Sequence, residues 1–221
     1  MNITNTLPRF SYLGLLISLV FFFCVAPFFS AGAHARLVLD LSILVILILS
    51  VYMCSDSVRN VVIASVLASP ALLRMIYPTL LVDEISLAFN ALFFGFVIFE
   101  LLQKIFHTYR VNTDILFAAI AVYMLIGFFW GVVYTLLEFY LPGSFSLEPG
   151  HGGLGFYSET AQDLIYYSFV SLTTLGYGDI TSLSKPAKFF SVLEAMMGQV
   201  YLTVLVAHLV GMHIAGVEVR K

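Results

Sequence analysis

The chain has 221 residues, with 10 Lys and Arg against 13 Asp and Glu, and a formal net charge of −3. Apolar residues make up 61% and charged residues 10%, whereas a soluble domain has about 45–50% and about 25%. Too few charges remain to cover a water-facing surface, the same composition excludes a disordered chain, and the absence of a basic excess argues against a nucleic-acid partner.

A helix that crosses a bilayer needs about 20 mostly apolar residues. The first such run covers residues 10–29. Ala31-Gly32-Ala33 behind it resembles a signal-peptide cleavage site. The apolar run is longer than a signal core, so it is expected to stay as a span. The second run covers residues 37–54 and the third residues 58–77. Pro70 in the third removes a helical N–H and predicts a kink. The fourth covers residues 85–106, and the fifth residues 115–139, behind Asn112-Thr113-Asp114 as a natural N-cap. The sixth covers residues 187–214, with Ser184-Lys185-Pro186 setting its start. Cys24 and Cys54 lie in apolar runs and form neither a disulfide framework nor a metal spacing.

The stretch between spans five and six is not a simple loop. Residues 141–156 are rich in Gly, Pro and Ser and read as an exposed turret. Residues 159–173 read as a short helix capped by Ser158, too short to cross the bilayer. A Gly-rich extended segment follows, so the pair reads as a re-entrant loop. Such backbone is tolerated at membrane depth only where it lines a cavity or is buried in protein. The expected fold class is an all-α membrane protein. It has six transmembrane helices, with a re-entrant helix and loop between helices five and six. Residues 1–110 form a four-helix unit and residues 111–221 a second unit. Arg9, Arg59, Lys104, Arg110, Arg220 and Lys221 fall on the side of the N-terminus, which is therefore expected to be cytoplasmic, as is the C-terminus. The outer side collects Asp40, Asp83, Glu84, Glu148, Glu159, Asp163 and Asp179, an acid excess suited to a cation mouth.

The chemistry is concentrated in Thr173-Thr174-Leu175-Gly176-Tyr177-Gly178-Asp179. A dehydrated potassium ion needs a cage of oxygens in place of its water, and rings of backbone carbonyls can supply one. Pointing successive carbonyls to one side demands unusual dihedrals, which glycine permits. Tyr177 is expected to wedge outward among the surrounding helices and hold the strand open. The Thr174 hydroxyl would add a ring of oxygens at the inner end.

The run Ser168-Phe169-Val170-Ser171-Leu172-Thr173-Thr174-Leu175-Gly176-Tyr177-Gly178-Asp179 resembles the pore signature of the tetrameric potassium channels. The resemblance covers spans five and six with the segment between. It implies K+ sites at Thr174, Leu175, Gly176, Tyr177 and Gly178, and an Asp179 that lies at the outer mouth and hydrogen-bonds behind the filter. It also implies a homotetramer, with K+ as the transported ion and no cofactor. Leu175 departs from the family's usual Val, and Tyr166-Tyr167 stands where voltage-gated members often have two tryptophans.

Gly198 occupies a position that resembles the hinge glycine of the family's inner helix; close packing is the alternative reading. Gln199, Leu202, Val206, Val210 and His213 share one face of span six, and this face is expected to line the inner cavity and gate. Glu194 and His208 fall opposite, toward span five or a neighbouring subunit. Either His208 or His213 would be a proton sensor on a functional reading, and a hydrogen-bonded structural residue on the plainer one. Glu138 is expected to anchor the turret.

Span four carries no arginine, and its one buried charge is Glu100, with Arg59 as its expected partner. Without a ladder of basic residues, steep voltage gating of the usual kind is not expected. The chain runs only a few residues past His213, so a cytoplasmic ligand-binding domain is not expected, and regulation would come from lipids, pH or a separate regulatory subunit. The resulting expectation is a potassium-selective channel in a plasma membrane of bacterial type. The alternatives are a weakly selective cation channel and a non-conducting regulatory membrane subunit. An enzyme is not expected, because the intramembrane polar residues form no nucleophile–base or metal-ligand cluster.

Overall fold

The computed structural model describes residues 11–25, 28, 33–55, 57–76, 80–108, 112–147 and 158–218, with backbone alone at 11, 33–37, 75–76, 80–83 and 212–218. Seven helices form among them. They are α1 (Ser11–Val25), α2 (Ala33–Met53), α3 (Val58–Ile76), α4 (Leu80–His107), α5 (Thr113–Tyr140), α6 (Glu159–Leu172) and α7 (Lys185–Glu218). Three are long and apolar enough to cross a membrane: α4 over Glu84–His107, α5 throughout, and α7 over Lys185–Gly211. Shorter apolar stretches lie in α1 and α2, at Tyr12–Val25 and Val38–Met53. Helix α3 continues through Pro70 to Ile76.

Local sequence sets the starts of the last three helices. Asn112 Oδ1 accepts the Ile115 N–H at 2.8 Å, Ser158 Oγ that of Ala161 at 3.1 Å, and Ser184 Oγ that of Ala187 at 3.3 Å. Each cap satisfies one of the N–H groups that a helix start leaves without a partner.

Helix α5 is the hub, with α4, α6, α1 and α7 packed around it. Phe22 of α1 meets Phe128 of α5 edge-on at 5.6 Å, and Phe23 meets Phe169 of α6 at 4.6 Å. Gly127 and Gly131 stand one turn apart on the face of α5 that receives α6. A Cβ on Gly131 would lie 2.8 Å from the Ile165 Cα, and one on Gly127 would lie 2.6 Å from the Phe169 ring. This is the small-xxx-small device that lets two helices approach closely where no hydrophobic drive separates protein from lipid. Helices α1 and α4 therefore pack against this chain's own α5, with α2 and α3 packed behind them.

Two expectations are corrected here. The turret is not exposed throughout: Leu141, Pro142 and Gly143 are exposed, but Ser144 and Phe145 are buried. Phe145 packs edge-on against Tyr134 at 5.3 Å and Tyr167 at 5.2 Å. Its apolar ring overrides the polar composition around it; residues 148–156 of the turret lie outside the described residues. Glu100 accepts from Asn60 Nδ2 at 2.7 Å, because Asn60, not the exposed Arg59, faces α4. Lys104, one turn further on, donates to the Met53 carbonyl oxygen at the end of α2, where a cation also complements the helix dipole.

Candidate functional site

Helix α6 ends in a Schellman turn. The Thr174 N–H donates to Ser171 O at 3.0 Å, and the Leu175 N–H to Val170 O at 2.9 Å. This motif places one residue in the left-handed region, normally glycine. Here it is Thr174, at φ +57°. Positive φ recurs at every second residue beyond it, with Gly176 at +62° and Gly178 at +78°. A chain that alternates in this way between the two hands lets its carbonyls face one side, whereas an ordinary strand alternates them.

The outer end is fixed by carboxylates. Tyr166 of α6 donates its hydroxyl to Asp179 Oδ2 at 2.6 Å, and Asp179 Oδ1 accepts the Ile180 N–H at 3.0 Å. These two bonds favour the ionised form and hold the Asp179 carboxyl below the usual carboxylate range. Glu138, near the end of α5, accepts the Gly143 N–H on Oε1 at 2.7 Å and the Phe145 N–H on Oε2 at 3.1 Å. The segment after α5 then pairs with the segment that enters α7. Ser146 N–H donates to Thr181 O at 2.9 Å and Leu183 N–H to Ser144 O at 2.7 Å. The Phe145–Ser182 bridge is antiparallel.

Residues 173–179 are all exposed in the single chain, Leu175 at 55% and Tyr177 at 67%. Tyr177 is therefore not covered by its own chain's helices, which hold α6 at Tyr167 and Ser168 and leave the segment itself exposed.

The sixth-span residues divide between two directions. Gln199 points toward the segment, with Nε2 at 3.5 Å from Thr174 Oγ1. Leu202, Val206 and Val210 are exposed along the same face, and the His213 side chain lies outside the described residues. Gly198 faces α6. A Cβ there would lie 2.5 Å from the Leu172 carbonyl oxygen, so the close-packing reading has a direct contact behind it. His208 has a ring nitrogen 3.3 Å from Ile105 O and meets Phe106 edge-on at 5.1 Å, so its neighbour is α4, not span five. Glu194 is fully buried, between Tyr134 of α5 and Ser168 of α6.

Sequence reasoning passed over Tyr166, Tyr134, Gly127 and Gly131. Tyr166 was visible only as a departure from Trp. The Gly127-to-Gly131 spacing carried a readable signal of close helix approach; Tyr134 carried none, because a tyrosine in an apolar helix does not announce its partner.

A family model described as ion channel matches residues 86–214. A 70-residue stretch is 33% identical to two pore potassium channel c of Oryza sativa subsp. japonica. The chain belongs to the potassium channel superfamily. It is an integral membrane protein, and the region matched by the ion channel model runs from α4 through α7. The stretch shared with the Oryza channel is 32% of this chain and 14% of that protein, so the chain matches only a small part of its relative. No solved structure matches the chain.

Proposed function

We propose that the channel conducts K+ selectively and passively as a homotetramer. The observation that carries this reading is the alternation of positive φ at Thr174, Gly176 and Gly178, directly after a short helix. Backbone carbonyls facing one side offer oxygens without net charge, so an ion can bind and still leave. The K+ sites are formed by the carbonyls of Thr174, Leu175, Gly176 and Tyr177 with the Thr174 hydroxyl, Gly178 shapes the outer end, and Asp179 stands at the mouth. One strand cannot surround an ion, and four copies about an axis close the rings. The exposed Leu175 and Tyr177 side chains then find their packing against a neighbouring chain.

In this reading each subunit has six spans, with both termini cytoplasmic, in a plasma membrane of bacterial type. Residues 1–110 form a sensor-like unit without gating charges, and residues 111–221 form the pore. Helix α6 is the pore helix, and its C-terminal dipole end faces the cavity. Gln199, Leu202, Val206, Val210 and His213 line the cavity and gate, with Gly198 at the bend.

The test is the reversal potential of purified protein in liposomes, with K+ on one side and Na+ on the other. A reversal near the K+ equilibrium value is expected. A clear current reversing near zero would reject selectivity, and a protein that conducts only after mixing with another channel chain would make it a regulatory subunit.

A further inference from the structure

Glu194 is fully buried in α7, and ion conduction as proposed makes no use of it. Three helices meet on its carboxyl. Tyr134 of α5 donates its hydroxyl to Oε2 at 2.6 Å. Ser168 of α6 has its Oγ 2.5 Å from Oε1. Both partners are themselves fully buried. Ser168 also donates to the Gly127 carbonyl oxygen of α5 at 2.7 Å.

The hydrogens in this cluster can be counted. A serine hydroxyl owns one hydrogen, and so does a tyrosine. Tyr134 spends its hydrogen on Oε2, and the one hydrogen of Ser168 serves either Gly127 or Glu194, not both. One of the two Ser168 contacts then holds no hydrogen unless Glu194 brings one. A carboxylic acid does. Glu194 donates to Ser168, Ser168 to Gly127, and Tyr134 to Glu194, and each hydrogen has one acceptor.

The surroundings agree with the count. The titratable groups facing the carboxyl are Tyr134 and Tyr123 of α5, with Tyr167 of α6 beside Tyr134. All are phenols. Among the described residues, no Lys, Arg or His interacts with Glu194. A buried carboxylate with no cation at membrane depth is expensive, whereas a neutral, fully satisfied network fixes one arrangement of its helices.

We propose that Glu194 is a positioning residue held as a neutral acid, whose proton bolts α6 to α5 and α7 and so fixes the segment that begins at Thr174. Its effect on selectivity rests on the potassium-channel reading above. Release of the proton to solvent leaves a carboxylate that draws the Ser168 hydrogen away from Gly127 and loosens the α5–α6 junction. Activity therefore belongs to the protonated form and falls as pH rises.

The first measurement is an infrared difference spectrum of the full chain in lipid, wild type minus Glu194→Gln, at neutral pH. The wild type is expected to show the carbonyl band of a protonated carboxyl that the variant lacks. The second is the K+ to Na+ permeability ratio. Glu194→Gln keeps it, because the amide donates to Ser168 and accepts from Tyr134. Glu194→Ala and Ser168→Ala each lower it about tenfold, because a buried polar partner is left unpaired. The third is a pH series, in which wild-type K+ current declines as the infrared band disappears and Glu194→Gln current stays level.

Absence of the band overturns the proposal. So does a Glu194→Gln channel as unselective as Glu194→Ala. If Glu194→Ala does not assemble, Ser168→Ala carries the comparison. If the wild type passes no K+ current at all, the potassium-channel reading fails separately, and the band with the thermal stability of the same variants still decides the role of Glu194.

Discussion

Thr174 sits at φ +57°, a region that costs an L residue about 1–2 kcal/mol and is especially unfavourable for a β-branched side chain. Glycine would fill this helix-ending position without strain, so what threonine adds here is its side chain. Its hydroxyl lies where the proposed ion path begins, with the Gln199 amide 3.5 Å away. Thr174→Gly is expected to stabilise the fold by about 1 kcal/mol, in line with relief of that strain. The same variant is expected to lose K+ over Na+ selectivity, because one ring of oxygens is gone. Thermal denaturation in detergent and reversal potentials check the two halves, and a variant that is both less stable and fully selective contradicts both. At this scale the sequence was legible where backbone geometry has a fixed residue type, as in Gly176 and Gly178 at positive φ. It was silent on Tyr134, whose role depends on a partner on a distant helix.

The elements that matter are α5, α6 and α7, held at close range by small residues. Gly198 decides how α7 meets the end of α6, since a Cβ there would lie 2.5 Å from Leu172 O and 2.9 Å from Leu172 Cδ1. The first of these atoms is backbone and cannot swing aside. A Cβ on Gly211, in the same helix, would meet nothing within 4 Å among the described residues. Alanine improves helix propensity at either site by about 1 kcal/mol. Gly211→Ala is therefore expected to leave stability unchanged or slightly raised, while Gly198→Ala loses about 1–3 kcal/mol through overpacking. Paired melting curves in the same detergent check this. Equal melting temperatures for the two variants would return Gly198 to the hinge reading alone. Helix positions were readable from apolar runs and from Asn112, Ser158 and Ser184 as caps. The face each helix turns to its neighbour was not, because α5 is apolar all round and periodicity then points nowhere.

At the scale of the whole molecule, span four lacks the ladder of basic residues that would respond to voltage, and three charged side chains of α4 are held. Glu84 accepts the Tyr140 hydroxyl at 2.5 Å, Glu100 accepts from Asn60 at 2.7 Å, and Lys104 donates to the Met53 carbonyl oxygen. Each elementary charge moved across the membrane would contribute about 2.3 kcal/mol per 100 mV. With these three tied down, open probability is expected to change little between strongly negative and strongly positive potentials. Single-channel recording in planar bilayers checks this, and a steep voltage dependence would overturn the expectation. Composition by itself determined that this chain is a helical membrane protein, since lipid solvation constrains residue types locally, and the motif at residues 173–179 marked where its glycine-dependent backbone turns. Only the tertiary structure decided that Glu194 lies among Tyr134, Ser168 and α5, that Phe145 is buried, and that Tyr177 is left uncovered by its own chain, because each depends on which helix faces stand together and none is encoded in the spacing of any single element.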